Sequence, residues 1–117
     1  MSRRSSEPVY PLYQKALEFF DEMERVYLPK YHKKEKRYLV SRTLDALYDL
    51  IAHIVHAQHD IQARRSLQNK IDADLSYIRA LVAIARNKRC LSIDGAAHLQ
   101  LKLKELGRIL GGWIKKT

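Results

Sequence analysis

Large apolar residues recur at three- and four-residue steps in four separate stretches of this chain. The clearest is Leu67, Ile71, Leu75, Ile78, Leu81, Val82 and Ala85. That spacing puts side chains on one face of an α-helix, because successive residues turn by about 100°. The same period runs through Leu12, Tyr13, Ala16, Phe19, Phe20, Met23, Val26 and Tyr27, with Glu18, Asp21, Glu22 and Glu24 on the other side. It returns in Val40, Leu44, Leu47, Ile51, Ile54 and Val55, and in Leu99, Leu103, Leu106, Leu110 and Trp113. No stretch of useful length alternates as a strand does. Four amphipathic helices with short connections predict an all-α chain, an antiparallel up-and-down four-helix bundle.

Local signals set the expected boundaries. Residues 1–10 read as a flexible tail and 11–117 as one bundle domain, which suits 117 residues. Pro8 and Pro11 suit a first helical turn, and Pro29 ends the first helix near Tyr27. The second helix starts within Lys30–Arg37 and runs to about His59. A weak turn follows over Asp60–Arg64, and the third helix covers about Arg65–Asn87. Ser92 is placed to cap the fourth helix, which runs to about Ile114 with Asp94 in its first turn.

Charge narrows the partner. Twenty-two Lys and Arg face thirteen Asp and Glu, a net of +9. Such a surface favours polyanions, nucleic acid before membrane. An up-and-down topology puts the first and third connections at one end. Lys30, Lys33, Lys34, Lys36 and Arg37 then sit near Arg86, Lys88 and Arg89, with Glu35 as the opposing acid. Cations at the end of the third helix offset its dipole, which accounts for Arg86–Arg89. It does not account for Lys33–Arg37, which precede a helix start where anions are favoured. Tyr31 and Tyr38 flank the run, where a ring can stack on bases or pack with a wet hydroxyl. Cys90, the one cysteine, excludes an internal disulfide and fits a reducing cytoplasm. No run is long and apolar enough to span a membrane, and no apolar stretch follows Arg3 and Arg4 as in a signal peptide.

Catalytic signals are weak. No phosphate-loop, dinucleotide or HExxH pattern occurs. Asp49, His53 and His56 can share a face, but steps of three through His53, His56 and His59 drift around the helix. One helix rarely closes a metal site, so neither a metal nor another cofactor is expected. His98 stands alone in sequence, and Cys90 reads as a small apolar residue under a loop despite neighbouring Arg89. Asp72 and Asp74 diverge on a helix. The expectation is a protein that is not an enzyme.

The last helix is the most distinctive: Glu105-Leu106-Gly107-Arg108-Ile109-Leu110-Gly111-Gly112-Trp113-Ile114. Each Gly costs about 1 kcal/mol against Ala inside a helix. Gly107 and Gly111, four apart, allow close approach of another helix, within the chain or from another subunit. This segment resembles the closing helix of a four-helix-bundle family. One branch comprises accessory variability determinant (Avd) proteins of diversity-generating retroelements. The other comprises S23 proteins encoded in intervening sequences of bacterial 23S ribosomal RNA genes. Tyr38-Leu39-Val40-Ser41-Arg42, with Leu44, Leu47 and Ile51, is similar to the family's second-helix start. Ile78-Arg79-Ala80-Leu81 through Ala85-Arg86 and Leu91-Ser92 is similar to the end of its third helix. The resemblance covers about residues 12–115. Ala83 departs from it where relatives often carry a second Arg, and Cys90 where an aromatic is common.

The retroelement branch implies a homo-oligomer, a pentamer, that binds a reverse transcriptase and structured template RNA, or the cDNA and RNA–DNA hybrid made on it. It implies a non-enzymatic role in mutagenic cDNA synthesis. The candidate nucleic-acid contacts are then Lys30, Lys33, Lys34, Lys36, Arg37, Arg42, Arg79, Arg86, Lys88 and Arg89. Gly107, Gly111 and Trp113 are the candidate packing residues. The ribosomal-RNA branch implies an RNA-associated or structural role with no polymerase partner.

Overall fold

The computed structural model describes residues 10–31 and 36–117. Its elements are α1 (Tyr10–Glu22), a π-helical turn (Met23–Tyr27) and a 3₁₀ turn (Leu28–Lys30), then α2 (Arg37–His59), α3 (Arg64–Asn87) and α4 (Ile93–Lys116). Each helix packs on the next, and α1 closes against α4 to complete a bundle 47 × 24 × 21 Å. The expected all-α four-helix bundle is observed. Of the expected tail, residues 1–9 lie outside the described residues, and Tyr10 already belongs to α1.

The predicted stripes of α3 and α4 are buried in full, from Leu67 to Ala85 and from Leu99 to Trp113. The stripe of α2 is corrected. Its most buried residues are Leu39, Thr43, Ala46, Leu47, Leu50, Ile54 and Ala57, while Val40, Leu44 and Ile51 are partly buried and Val55 is exposed. The physical reason is neighbour contact. The α2–α3 interface is the most extensive in the bundle, and small Thr43, Ala46 and Ala57 are among the residues that α2 buries. A count of large apolar residues overlooks small ones that serve packing.

The first helix also ends differently from the expectation. Pro29 lacks an N–H, and its ring conflicts with a carbonyl one turn back. The chain widens before it: the Leu28 N–H donates to the Met23 carbonyl, a five-residue step. The extra residue rephases the helix. Leu28 and Tyr31 therefore turn into the core, while Val26 and Tyr27 stay partly exposed.

At the other end of the fold's third connection, Ser92 caps α4 as expected. Its Oγ accepts from the Gly95 N–H at 2.9 Å, and Asp94 occupies the first turn. Ser92→Ala is expected to destabilise the protein by about 1 kcal/mol. An unchanged urea midpoint would show that water replaces the cap without loss.

Candidate nucleic-acid interface

The α1–α2 and α3–α4 connections meet at one end of the bundle, joined by a direct contact. The Lys36 ammonium donates to the Lys88 carbonyl at 2.9 Å. Arg37, Arg86, Lys88 and Arg89 are exposed around it, and Lys30 lies over the Tyr27 ring at 5.7 Å. Lys33 and Lys34 fall outside the described residues. Among the described residues, no ion pair engages Lys30, Lys36, Arg37, Arg86, Lys88 or Arg89. The start of α2 has no side-chain cap and no acid in its first turn. Uncapped N–H groups and cations of like sign therefore face solvent together, an arrangement that an anion relieves.

The α3 terminus adds an unusual backbone. The Cys90 N–H donates to the Ala85 carbonyl at 2.8 Å, and the Arg89 N–H to the Arg86 carbonyl at 3.0 Å. This is a Schellman closure, with Cys90 packed at the apolar position. It holds Arg89 at φ 64°, a left-handed conformation that favours glycine. Arg89→Gly is expected to raise stability by about 0.5–1 kcal/mol while weakening polyanion binding. A loss of both stability and binding would mean that Arg89 is held for structural reasons. A hollow lined by Arg86, Asn87, Arg89, Leu91 and Ile93 opens beside this turn.

Other candidates lie elsewhere. Arg42 is exposed on α2, beyond its first turn. Arg79 is half-buried on α3, about 10 Å along the helix from Arg86. Its guanidinium lies over α4, where a Cβ on Gly107 would come within 3.0 Å of it, and Gln100 Nε2 donates to its carbonyl at 3.2 Å. Gly107 thus makes room for an arginine side chain. Among the described residues, no heavy atom from another part of the chain lies within 4 Å of a Cβ built on Gly111 or Gly112, so the expected close approach of a helix within the chain is not seen at Gly111. Trp113 is buried. Tyr38 is exposed, but Tyr31 is core: burial pushes its hydroxyl pKa well above the usual range, with Cys90 adding a smaller push. Tyr31 is therefore not a stacking surface.

Three of the histidines, His53, His56 and His98, form separate pairs. His53 Nδ1 lies 2.6 Å from Asp74 Oδ2, joining α2 to α3, and His56 Nε2 lies 3.6 Å from Asp60. His98 Nε2 lies 2.9 Å from Glu22 and joins α4 to α1. Burial raises the Asp74 pKa, with Asp49 adding to the rise, against the lowering effects of His53 and Lys70. Among the described residues, no group of three such side chains is placed to hold a metal ion, and no helix is long and apolar enough to cross a membrane.

Arg64 is a structural residue that the sequence pattern did not reveal. It reaches back from the start of α3 to the last turn of α2, donating from Nε to the Ala57 carbonyl at 2.7 Å and from a terminal nitrogen to the Gln58 carbonyl at 2.9 Å. Its guanidinium also lies 5.8 Å from the Trp113 ring centre. Its position just after a turn was the one available signal.

A family model described as bAvd-like matches residues 12–117. No curated protein and no solved structure matches the chain.

Proposed function

This chain belongs to the bAvd-like family, and from that premise we propose that it is a non-catalytic accessory subunit of a diversity-generating retroelement. In this reading it holds template RNA beside a reverse transcriptase during mutagenic cDNA synthesis in the cytoplasm. The observation that carries the RNA half is the convergence of two connections into one basic end, joined by the Lys36–Lys88 contact. Phosphate contacts there supply affinity and orientation but no sequence choice, so selectivity comes from RNA shape and from the polymerase.

The protein-facing half rests on exposed apolar side chains of α1 and α2. Leu17 of α1 and Tyr48 and Val55 of α2 are 40%, 60% and 36% exposed, beside a Phe20–Tyr48 edge-to-face pair with centres 5.0 Å apart. Apolar side chains of this size suit contact with sister subunits in a homo-oligomer, a pentamer in the retroelement branch, or with the polymerase.

A tagged pull-down at moderate salt, with protein and RNA identified together, tests the whole reading. Recovery of a reverse transcriptase with one structured RNA is expected. RNA without a polymerase would transfer the protein to the ribosomal-RNA intervening-sequence branch. Neither ligand would leave the charge as a solubility device and overturn the proposal.

A further inference from the structure

Five ion pairs form among the described residues, and the two that bridge different helices both use a histidine. The other three join residues three or four apart in sequence. His53 joins α2 to Asp74 of α3, with Asp49 and Lys70 beside the carboxylate. His98 joins α4 to Glu22 at the end of α1. A lysine or arginine in these places would hold its charge throughout the physiological range. Imidazole is the side chain whose charge ordinarily changes between about pH 5 and 8. The two seams differ in strength. α2 and α3 share the most extensive interface of the bundle, whereas α1 meets α2 and α4 over smaller ones. A change of charge has its larger effect on docking where less else holds, at α1.

The His98 side of α1 is built as a seat. Tyr27, in the π-helical turn, packs against α4 at Gly95, where a Cβ would come within 3.2 Å of Tyr27 Cε1. The His98 ring stacks on Tyr27 with centres 6.3 Å apart, and its Nε2 lies 2.9 Å from Glu22 Oε2. Tyr27 keeps its proton, because burial raises its pKa and Glu22 adds to the rise. That leaves an imidazole as the member of this cluster able to change charge near neutrality. Beside it the α1–α4 seam is a crevice that includes Lys15, Glu18, Glu22, Lys102 and Glu105. Three carboxylates there meet two lysines, so loss of the His98 charge leaves the seam acidic. Asp94, one turn before His98 on α4, has the same sign as those carboxylates, while Lys30 lies over the far partner, Tyr27.

We propose that Glu22, His98 and Tyr27 form a proton-dependent latch that holds α1 on α4. With His98 protonated, a charge-assisted hydrogen bond to Glu22 and the Tyr27 seat fasten the helix together. When His98 loses its charge, the bond becomes an ordinary one and the seam carries excess negative charge. The Glu22 carboxylate favours the charged imidazole only while α1 is docked, so docking weakens as the pH rises. α1 then loosens ahead of α2, α3 and α4 and bares its inner face at Leu12, Ala16 and Phe19. The latch goes beyond the RNA-binding reading and does not depend on it.

The test is hydrogen–deuterium exchange of the whole protein at about pH 6 and about pH 8, with rates corrected for the intrinsic pH dependence of amide exchange. The side chains of His98 and Glu22 are 41% and 28% exposed, which keeps the effect moderate. Opening of α1 is expected to be roughly 3- to 10-fold more frequent at the higher pH, and opening of α3 to change by less than about twofold. His98→Gln keeps a donor but no titratable charge, and should hold α1 near its high-pH level at both values. His98→Lys should keep α1 protected at both. His53→Gln should leave the α1 response in place. Melting curves check that each variant folds, and the unaltered protein carries the test if one does not.

Equal protection of α1 at both pH values in the unaltered protein would overturn the latch. So would an undiminished pH response in His98→Gln. Loosening of α3 to the same extent as α1 would also overturn it, because protonation would then act on the bundle as a whole. Each of these outcomes leaves the proposed function to its own test, since exchange of α1 reads neither RNA nor polymerase.

Discussion

Arg64→Ala is expected to lower the stability of the bundle by about 3 kcal/mol and its melting temperature by about 10–15 °C. One guanidinium serves three purposes in a region where α2, α3 and α4 meet. It satisfies two carbonyls left open at the end of α2, places a cation at the negative end of that helix dipole, and covers the Trp113 ring. Alanine removes all three together. Arg64→Lys keeps the charge but not the planar fork, so it should recover less than half of the loss. Differential scanning calorimetry decides the matter. A fall below about 1 kcal/mol would show that water caps α2 as well as Arg64 does.

Combining Arg37→Gln, Arg86→Gln, Lys88→Gln and Arg89→Gln is expected to weaken binding of structured RNA roughly 10²- to 10³-fold near 150 mM salt. The salt slope should fall by about 3–4, near 0.9 for each phosphate that is no longer neutralised. All four side chains are exposed, so stability should change little; Arg89→Gln leaves the left-handed turn as it was. Anisotropy titrations across a salt series read both quantities. A fall in affinity with no change in slope would mean that these residues act through shape or a protein partner, not phosphate neutralisation. An unchanged affinity would remove the basic end from the proposed site.

Much of the fold was legible because burial follows period. The stripes of α3 and α4 are long, regular and made of large side chains, so one face dominates. α2 was harder to read. It is apolar over a wide arc, and its most buried line includes small Thr43, Ala46 and Ala57, which a count of large apolar residues passes over. The Pro29 stop was expected, but the π turn before it was not, since its effect is to rephase Leu28 and Tyr31 into the core. Of the candidate site, the meeting of Lys36 with the Lys88 segment followed from topology alone. Arg79 and Arg42 lie apart from that end, and Gly107 accommodates Arg79 rather than another helix backbone.

The sequence by itself determined the helix count, the capping of α4 by Ser92 and the end at which positive charge gathers. These depend on neighbours three or four residues apart, or on the parity of an up-and-down chain. Tertiary structure alone decided which face of α2 is deepest, that His53 pairs with Asp74 and His98 with Glu22, and that Arg64 ties three helices together. Such pairings depend on the rotation and axial offset of one helix against another. Those are set by how all the side chains at the interface pack together, a sum that no single helix carries in its own period.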